Sequence, residues 1–163
     1  MPMTSYAIAL GSNRRGRYGA PAGTIRAAAD ALGAQRVSSI YATPALGPAG
    51  RGFANAAAIV ETDLGPSDLM ARLKSIERTF GRRSGRRWGP RVLDLDILLW
   101  SDGPYEGKDL VIPHPSFRDR LFVLKPLAEL AAEWRDPVTR ATVRQLFHRL
   151  RRRNPVDPRP ADT

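Results

Sequence analysis

The chain of 163 residues contains no cysteine, only three lysines and only two histidines. Without cysteine, disulfide bonds, thiolate metal sites and cysteine nucleophiles are excluded, and a reducing compartment is favoured. No uninterrupted apolar run is long enough to span a bilayer, and no basic stretch precedes the short apolar segment near the start. We therefore expect a cytoplasmic protein that does not associate with membranes.

Positive charge comes mainly from arginine. Lysine and arginine together number 26 against 16 aspartates and glutamates, which gives a formal net charge of +10. This excess suits a phosphate-bearing partner, either a nucleotide or a nucleic acid. The length and a hydrophobic fraction of 42% are those of one globular domain. We expect that domain at 1–150, followed by a basic, frayed tail at 151–163.

Hydrophobic periodicity and turn residues predict the order strand, helix, strand, strand, helix, strand. The strands are expected at 6–10, 37–42, 53–62 and 92–100, and the helices at 24–32 and 67–80. A short strand near 110–112, a connector and short helix within 112–131, and a last helix at 143–150 follow. This βαββαβ order predicts a ferredoxin-like α+β sandwich with appended C-terminal helices.

Two aspartates interrupt the strand predicted at 92–100, where the sequence reads VLDLDILLW. Because strand side chains alternate, Asp94 and Asp96 share one face with their Cα atoms about 7 Å apart. The opposite, apolar face is expected to comprise Leu93, Leu95, Ile97 and Leu99. Carboxylates this close require a cation, either arginine or a divalent metal. The spacing suits one or two hard ions, and an exposed, salt-bridged Asp-x-Asp is the alternative.

An arginine-rich segment, RRSGRRWGPR at 82–91, directly precedes these carboxylates. It is flexible by composition and could fold over a polyphosphate, binding it with forked donors. A solvated run of charge and a nucleic-acid patch are the alternatives. No GxxxxGK[ST] motif is present, so a phosphate site here would lack a P-loop. Metal ligands beside an anion clamp are what a triphosphate bound as its magnesium complex requires.

The segment RWGPRVLDLDILLW at 87–100 resembles the signature of the 6-hydroxymethyl-7,8-dihydropterin pyrophosphokinases, a folate-pathway family. Further similar segments are ALGSN at 9–13, YATPALGP at 41–48, FANAA at 53–57, IERTFGR at 76–82 and the stretch 112–130. The resemblance implies a ferredoxin-like fold and transfer of the β,γ-pyrophosphoryl group of ATP to the pterin hydroxymethyl oxygen, with release of AMP. It also implies ATP as co-substrate and two magnesium ions as cofactors.

Carried over by position, the resemblance also implies the site residues. Asp94 and Asp96 are expected to bind both magnesium ions, and Arg82 and Arg91 are expected to be catalytic through ATP. The remaining ATP-binding positions are Glu77, Arg87, Trp88, Ile97, His114 and Arg120. The pterin-binding positions are Thr43, Pro44, Leu46, Phe53, Asn55 and Phe122. In that pocket the two phenylalanines would sandwich the flat ring, and the asparagine amide would bind its donor-and-acceptor edge.

Each of these residues also has a structural interpretation. Without the resemblance, Phe53 and Phe122 would be core residues and Asn55 would be a buried amide bonded to backbone. His114, between two prolines, would make a structural hydrogen bond in a turn. Glu77 would pair with a basic neighbour on its helix.

Other functional classes remain open at this point. The basic charge favours a nucleic-acid-binding ferredoxin-like module, although the aromatics do not form a row and carboxylates repel phosphates. A noncatalytic interaction domain would keep the fold without ATP turnover. A different magnesium-dependent phosphoryl transferase would differ only in its acceptor pocket. We expect a monomeric enzyme whose partners are ATP and a dihydropterin, and not a nucleic acid.

Overall fold

The structure is a computed structural model that describes residues 2–14, 16–43, 53–81, 92–153 and 159–160. In chain order its strands are Thr4–Ser12 (β1), Arg36–Val37 (β2), Tyr41–Thr43 (β3), Phe53–Thr62 (β4), Asp94–Trp100 (β5), Tyr105–Glu106 (β6), Val111–Ile112 (β7) and Arg159–Pro160 (β8). Its α-helices are Pro21–Leu32 (α1), Pro66–Gly81 (α2), Leu121–Ala131 (α3) and Val143–Arg153 (α4). A 3-10 helix at Phe117–Asp119 precedes α3. Within the described ranges, no helix has the length and apolar character needed to cross a membrane.

The main sheet is antiparallel, with the spatial order β5, β1, β4, β3, β8 and with β2 also paired to β4. Strand β1 lies between β4 and β5, and it pairs with β4 along its whole length, from Thr4 opposite Thr62 to Ser12 opposite Ala54. Helix α1 connects β1 to the β2–β3 region, and α2 connects β4 to β5. The predicted ferredoxin-like βαββαβ arrangement is therefore confirmed.

Both faces of the sheet are covered by helices. Helices α1 and α2 pack on one face over a core that includes Ile8 and Leu10, and α3 and α4 pack on the other face over Ala7. The alanines of β4 fit this arrangement, because Ala57 and Ala58 point to opposite faces and are 1% and 0% exposed. Small side chains let helices approach the middle of the sheet from both sides.

Two strand predictions are corrected by the structure. The strand expected at 37–42 is divided into β2 and β3, because the Ser38 hydroxyl accepts the Ala57 N–H at 2.8 Å and takes the place of a backbone carbonyl. Strand β5 contains a register shift, since Ala7 pairs with Leu99 but Ile8 pairs with Ile97. Leu99 consequently joins the core under α3 and α4, and does not share a face with Leu95 and Ile97 as expected.

The helix ends also differ from the predictions. Helix α1 begins at Pro21, three residues before the expected start, because proline is favourable at a first helical position. Helix α4 continues beyond Leu150 to Arg153, so the first three residues of the expected frayed tail are helical. The last turn of α4 contains Arg151, Arg152 and Arg153, and positive charge there interacts favourably with the helix dipole. The boundary predicted from the sequence did not take this interaction into account. The pair 159–160 forms β8 beside β3.

Candidate active site

Several strand ends meet at one end of the main sheet. The last residues of β1 and β3 and the first residues of β4 and β5 lie there, because neighbouring strands run antiparallel. Helix α3, which packs against β4, begins near this end with Leu121 and Phe122. Exposed side chains at this end include Asp94, Asp96 and Phe53, whereas the middle of the sheet is buried. This polar end of the sheet is the candidate active site.

One of the two carboxylates, that of Asp94, lies in one row with the amide of Asn55 across the sheet. Asp94 of β5 pairs with Gly11 of β1, and Gly11 pairs on its other side with Asn55 of β4. Strand spacing therefore separates Asp94 from Asn55 by about 10 Å. A Cβ atom at Gly11 would lie 3.2 Å from Oδ1 of Asn55. The lack of a side chain at Gly11 therefore leaves space on the sheet surface between Asp94 and Asn55. This width suits a small substrate lying between a carboxylate and an amide.

Asp94 and Asp96 are both exposed, whereas Leu95 between them is buried. The predicted alternation of β5 is thus confirmed at its start. Among the described residues, no group of three or more His, Cys, Asp or Glu side chains forms a metal cluster. A pair of carboxylates still fits magnesium, because that ion is commonly bound by one or two carboxylates together with substrate phosphates and water. The donor set therefore fits an ion that arrives with a nucleotide.

Glu77 of α2 supports the strand that carries the carboxylates. Its Oε2 accepts the N–H of Leu95 at 2.8 Å, and Lys74 Nζ lies 3.4 Å from its Oε1. The side chain is only 9% exposed. Glu77 thus stabilises the backbone between the two aspartates from the α2 side of the strand.

Ile97, an expected ATP-binding residue, is 2% exposed and belongs to the core beneath α1 and α2. The structure therefore places its side chain on the face opposite Asp96. Several other expected site residues lie outside the described residues, namely Pro44, Leu46, Arg82, Arg87, Trp88 and Arg91. For these positions the assignment stays a prediction.

Of the pterin-binding candidates, the structure describes Phe53, Asn55 and Phe122, together with the backbone of Thr43. Phe53 pairs with Thr43 at the end of β3, and its side chain is 48% exposed. Phe122 at the start of α3 is 36% exposed, whereas Asn55 is 8% exposed. Two phenylalanines this exposed are not core residues, which removes their structural interpretation. Phe53 offers an aromatic face two residues from the buried amide of Asn55 on the same strand, and Phe122 offers a second one at the start of α3, as stacking of a flat heterocycle requires.

His114 and Arg120 flank the 3-10 helix that leads into α3. The His114 N–H donates to the Leu98 carbonyl at 3.0 Å, and its Nδ1 accepts the N–H of Ser116 at 3.1 Å. Neither of these two bonds uses Nε2 of His114. Arg120 is exposed at the residue before α3, with its guanidinium carbon 5.8 Å from the Phe122 ring centroid. The segment 114–120 that leads into α3, which we call the connector, thus carries an imidazole and a guanidinium. It directly precedes the part of α3 that carries the aromatic candidate Phe122.

A buried ion pair anchors this connector. Arg118 donates through Nε to Oδ2 of Asp136, and through Nη2 to Oδ1 at 2.8 Å. Asp136 is 0% exposed and also accepts the Val138 N–H and the Thr139 hydroxyl. Burial acts to raise the pKa of Asp136, but the bond from Arg118 and the other two bonds outweigh it and lower the pKa to about 2. The carboxylate is therefore ionised under physiological conditions.

Sequence reasoning missed Gly11, Arg118 and Asp136. A glycine inside a strand pattern is a signal of close approach, and ALGSN at 9–13 contained it. The partner of Arg118 carried no comparable signal, because Asp136 lies 18 residues away beyond a helix.

A family model described as 7,8-dihydro-6-hydroxymethylpterin-pyrophosphokinase (HPPK) matches residues 7–132 of the chain. The chain belongs to this family. The HPPK match contains all the site residues named above, whereas Asp136 and α4 lie beyond it. The predicted family resemblance is therefore confirmed.

Named relatives agree with the family. The chain is 43% identical over 137 residues to the 2-amino-4-hydroxy-6-hydroxymethyldihydropteridine pyrophosphokinase of Pseudomonas aeruginosa, covering 80% of this chain and 82% of that protein. It is 40% identical over 116 residues to the protein of the same name from Synechocystis, covering 71% of this chain but 60% of the relative. The chain is thus shorter than some HPPK relatives that it matches.

A solved structure supports the fold independently of sequence. The HPPK-DHPS of Plasmodium falciparum superposes with a TM-score of 0.70 at 15% identity, covering 96% of this chain and 44% of that one. At this identity the likeness shows the fold alone. It agrees with the ferredoxin-like sandwich predicted for an HPPK.

Proposed function

We propose that this chain transfers the β,γ-pyrophosphoryl group of ATP to the hydroxymethyl oxygen of 6-hydroxymethyl-7,8-dihydropterin. The products are the pterin diphosphate and AMP, so the enzyme is an ATP-dependent diphosphotransferase of folate biosynthesis. The observation that carries the proposal is the row Asp94, Gly11, Asn55 at the polar end of the sheet. This row combines a carboxylate that suits magnesium with an amide that suits a pterin edge, in a chain that belongs to the HPPK family.

The pterin would bind between Phe53 and Phe122 with its edge on Asn55. Both rings are exposed enough to stack on a ligand, and the amide of Asn55 supplies a donor and an acceptor. Thr43, Pro44 and Leu46 complete the proposed pocket by position. Stacking excludes water from both faces of the ring and holds its hydroxymethyl group toward the carboxylates.

Asp94 and Asp96 would hold two magnesium ions together with ATP oxygens. Bound magnesium neutralises phosphate charge and polarises the phosphoryl group under attack. His114 and Arg120 offer donors to the phosphates from the connector, and Arg82, Arg87, Trp88 and Arg91 are assigned to ATP by position. Ile97 is assigned by position as well, but through its backbone, because its side chain is buried on the face opposite Asp96. Because Glu77 binds the N–H of Leu95, its proposed ATP role is to keep the two aspartates in place.

In the transfer step, the hydroxymethyl oxygen forms a bond to the β-phosphorus as the bond from that phosphorus to the α,β-bridging oxygen breaks. AMP leaves with the electron pair of the broken bond, and the hydroxyl proton passes to bulk water or to a phosphate oxygen. The protein's contribution is orientation of the two substrates and neutralisation of charge. We further propose that the enzyme acts as a monomer in the cytoplasm, on small molecules and without nucleic acid.

Product analysis tests this proposal. The chain is incubated with ATP, magnesium and the dihydropterin, and AMP, ADP and the pterin product are quantified for wild type, Asp94→Ala and Asp96→Ala. We expect wild type to form AMP and pterin diphosphate in equal amounts. Loss of either carboxylate should abolish detectable turnover while the fold is retained. Chelation of magnesium should stop the wild-type reaction, and added magnesium should restore it.

Asp102→Ala is the matched control, because Asp102 is an exposed aspartate just beyond the opposite end of β5. It should keep wild-type turnover. Formation of ADP in place of AMP would instead indicate a simple kinase. Intact folding without any turnover would contradict the proposal and favour a noncatalytic interaction domain.

A further inference from the structure

Helix α3 is joined to β2, to β3 and to the residues between those strands by a series of polar contacts. Arg36 donates from Nη1 to the Leu130 carbonyl at 3.0 Å. Glu129 accepts the Ser39 N–H at 3.0 Å and the Ser39 hydroxyl at 2.8 Å on Oε1, and the Tyr41 hydroxyl at 2.8 Å on Oε2. We call these contacts the α3–β3 seam. They connect segments about 90 residues apart in the chain.

Along the seam, helix α3 and strand β3 run in opposite directions. Lys125, one helical turn before Glu129, has its Nζ 5.1 Å from the centroid of the Tyr41 ring. Phe122 lies three residues before Lys125, about 4.5 Å along the helix axis and on the same side. Thr43 follows Tyr41 by about 7 Å along β3. The segment of α3 from Glu129 to Phe122 therefore runs alongside the segment of β3 from Tyr41 to Thr43.

These two segments of α3 and β3 both end at the proposed pterin pocket. Thr43 pairs with Phe53, and Tyr41 pairs with Asn55, so Tyr41 lies directly beside the strand that carries both residues. The other aromatic candidate, Phe122, is carried by α3. The position of α3 along β3 therefore sets where the Phe122 ring lies relative to Phe53 and Asn55.

We propose that Glu129, through its hydrogen bond with Tyr41, is a positioning residue for the pterin pocket. It does not contact the substrate, and the inference rests on the proposed function. Glu129 holds α3 at the place along β3 where the two phenylalanines are spaced for one flat ring. Arg36 bonds the α3 backbone at the far end of the seam, so of the two hydrogen-bonding side chains, Arg36 and Glu129, the second lies closer to the pocket.

The chemistry of Glu129 suits this role. An ionised carboxylate only accepts hydrogen bonds and can hold several donors at once, here two from Ser39 and one from Tyr41. Burial acts to raise the pKa of Glu129, but the bonds from Ser39 and Tyr41 outweigh it and lower that pKa. The carboxylate therefore stays charged at neutral pH and keeps all three donors.

The test compares steady-state kinetics and stability of Tyr41→Phe, Glu129→Ala and the double variant. Tyr41→Phe keeps the ring but removes the bond to Glu129, and loss of one such bond should raise the KM for the dihydropterin about threefold to tenfold. The KM for ATP should rise less than the KM for the dihydropterin, because the carboxylate pair lies on β5, beyond β4 and β1 from β3, and of the proposed ATP contacts only Arg120 directly adjoins α3. The double variant should have the pterin KM of Glu129→Ala alone, since both substitutions remove the same contact.

Tyr6→Phe is the matched control. The Tyr6 hydroxyl donates to the Leu64 carbonyl at 2.8 Å, and Tyr6 is 0% exposed on the α1 and α2 face. It lies five residues before Gly11, about 17 Å along β1. Tyr6→Phe should therefore lose a hydrogen bond of equal length and some stability without changing either KM.

Each result either supports or overturns the inference. A rise in the pterin KM confined to the Tyr41 and Glu129 variants supports it. Lower stability with both KM values unchanged would overturn it and leave the seam a purely structural contact. Equal increases in both KM values would also overturn it. The proposed function is judged separately, by the products of the wild-type enzyme. If wild type forms AMP and Tyr41→Phe has an unaltered KM for the dihydropterin, only the positioning role of Glu129 is refuted. If wild type forms no pterin diphosphate and binds no dihydropterin in titration, both the proposed function and the positioning role are refuted.

Discussion

Replacing Asp136 with asparagine removes one partner of the buried pair with Arg118 while conserving the shape of the side chain. The carboxylate is 0% exposed and accepts bonds from Arg118, Val138 and Thr139. Its pKa of about 2, against an ordinary value of 3.8, corresponds to about 2 kcal/mol of stability at neutral pH. Removing a partner of a buried ion pair costs more than the pair contributes, so we expect Asp136→Asn to lower the free energy of unfolding by about 2 to 4 kcal/mol.

The pH dependence has a definite sign. The pKa of Asp136 is lower in the folded state, so the unfolded chain takes up the proton first as the pH falls. The stabilisation is complete above about pH 4 and is lost as the pH falls through about 2. The stability difference between wild type and Asp136→Asn should therefore be constant from pH 5 to 8 and should narrow below pH 4. Other carboxylates titrate in both proteins and do not contribute to this difference.

Urea unfolding followed by circular dichroism measures both quantities. Glu133→Gln is the control, because Glu133 pairs with Arg144 at 2.7 Å but both side chains are more than 60% exposed. Loss of an exposed pair should change the unfolding free energy by less than about 0.5 kcal/mol. An effect of Asp136→Asn as small as that of the control would refute the reasoning, as would a difference that stays constant from pH 5 to pH 3.

Two further predictions concern the polar end of the sheet. In Gly11→Ala the new Cβ would lie 3.2 Å from Oδ1 of Asn55, so the amide must shift by a few tenths of an ångström. The KM for the dihydropterin should therefore rise about threefold, because the donor and acceptor of Asn55 no longer align with the ring edge. An unaltered KM for the dihydropterin would contradict a tight contact between Asn55 and the ring. In Glu77→Ala the Leu95 N–H loses its acceptor, which now lies at 2.8 Å. The free energy of unfolding measured in urea should therefore fall by about 1 to 2 kcal/mol, and the KM for MgATP should rise. An unchanged free energy of unfolding would contradict the role of Glu77 at the edge of β5.

Local sequence patterns were sufficient for the elements whose residues follow one period. The β4 strand at 53–62 was predicted with both its ends, and the alternation at the start of β5 correctly placed Asp94 and Asp96 on one exposed face. The end of the helix expected at 24–32 is also confirmed, because Gly33 terminates α1 with a φ of 65° that suits glycine. In these cases the determining interactions lie within a few residues of one another.

The errors occurred where a distant group decided the conformation. The strand at 37–42 was divided because the Ser38 hydroxyl bonds to Ala57 on another strand. The register shift of β5 moved Leu99 to the other core, and no local pattern encodes a bulge that depends on the pairing with β1. Helix α4 extends to Arg153 because cations are favourable in its last turn.

The candidate site shows the same division. Sequence by itself determined the residue types of the site: two carboxylates at alternate positions, an arginine-rich segment before them, and an asparagine in an alanine-rich strand. The family resemblance carried by those residues agreed with the match over 7–132. What only the tertiary structure decided is that Gly11 separates Asp94 from Asn55, that Glu129 joins α3 to β3, and that Asp136 anchors Arg118. These contacts depend on strand register and on helix docking, which arise from the packing of the whole chain and not from the spacing of residues along it.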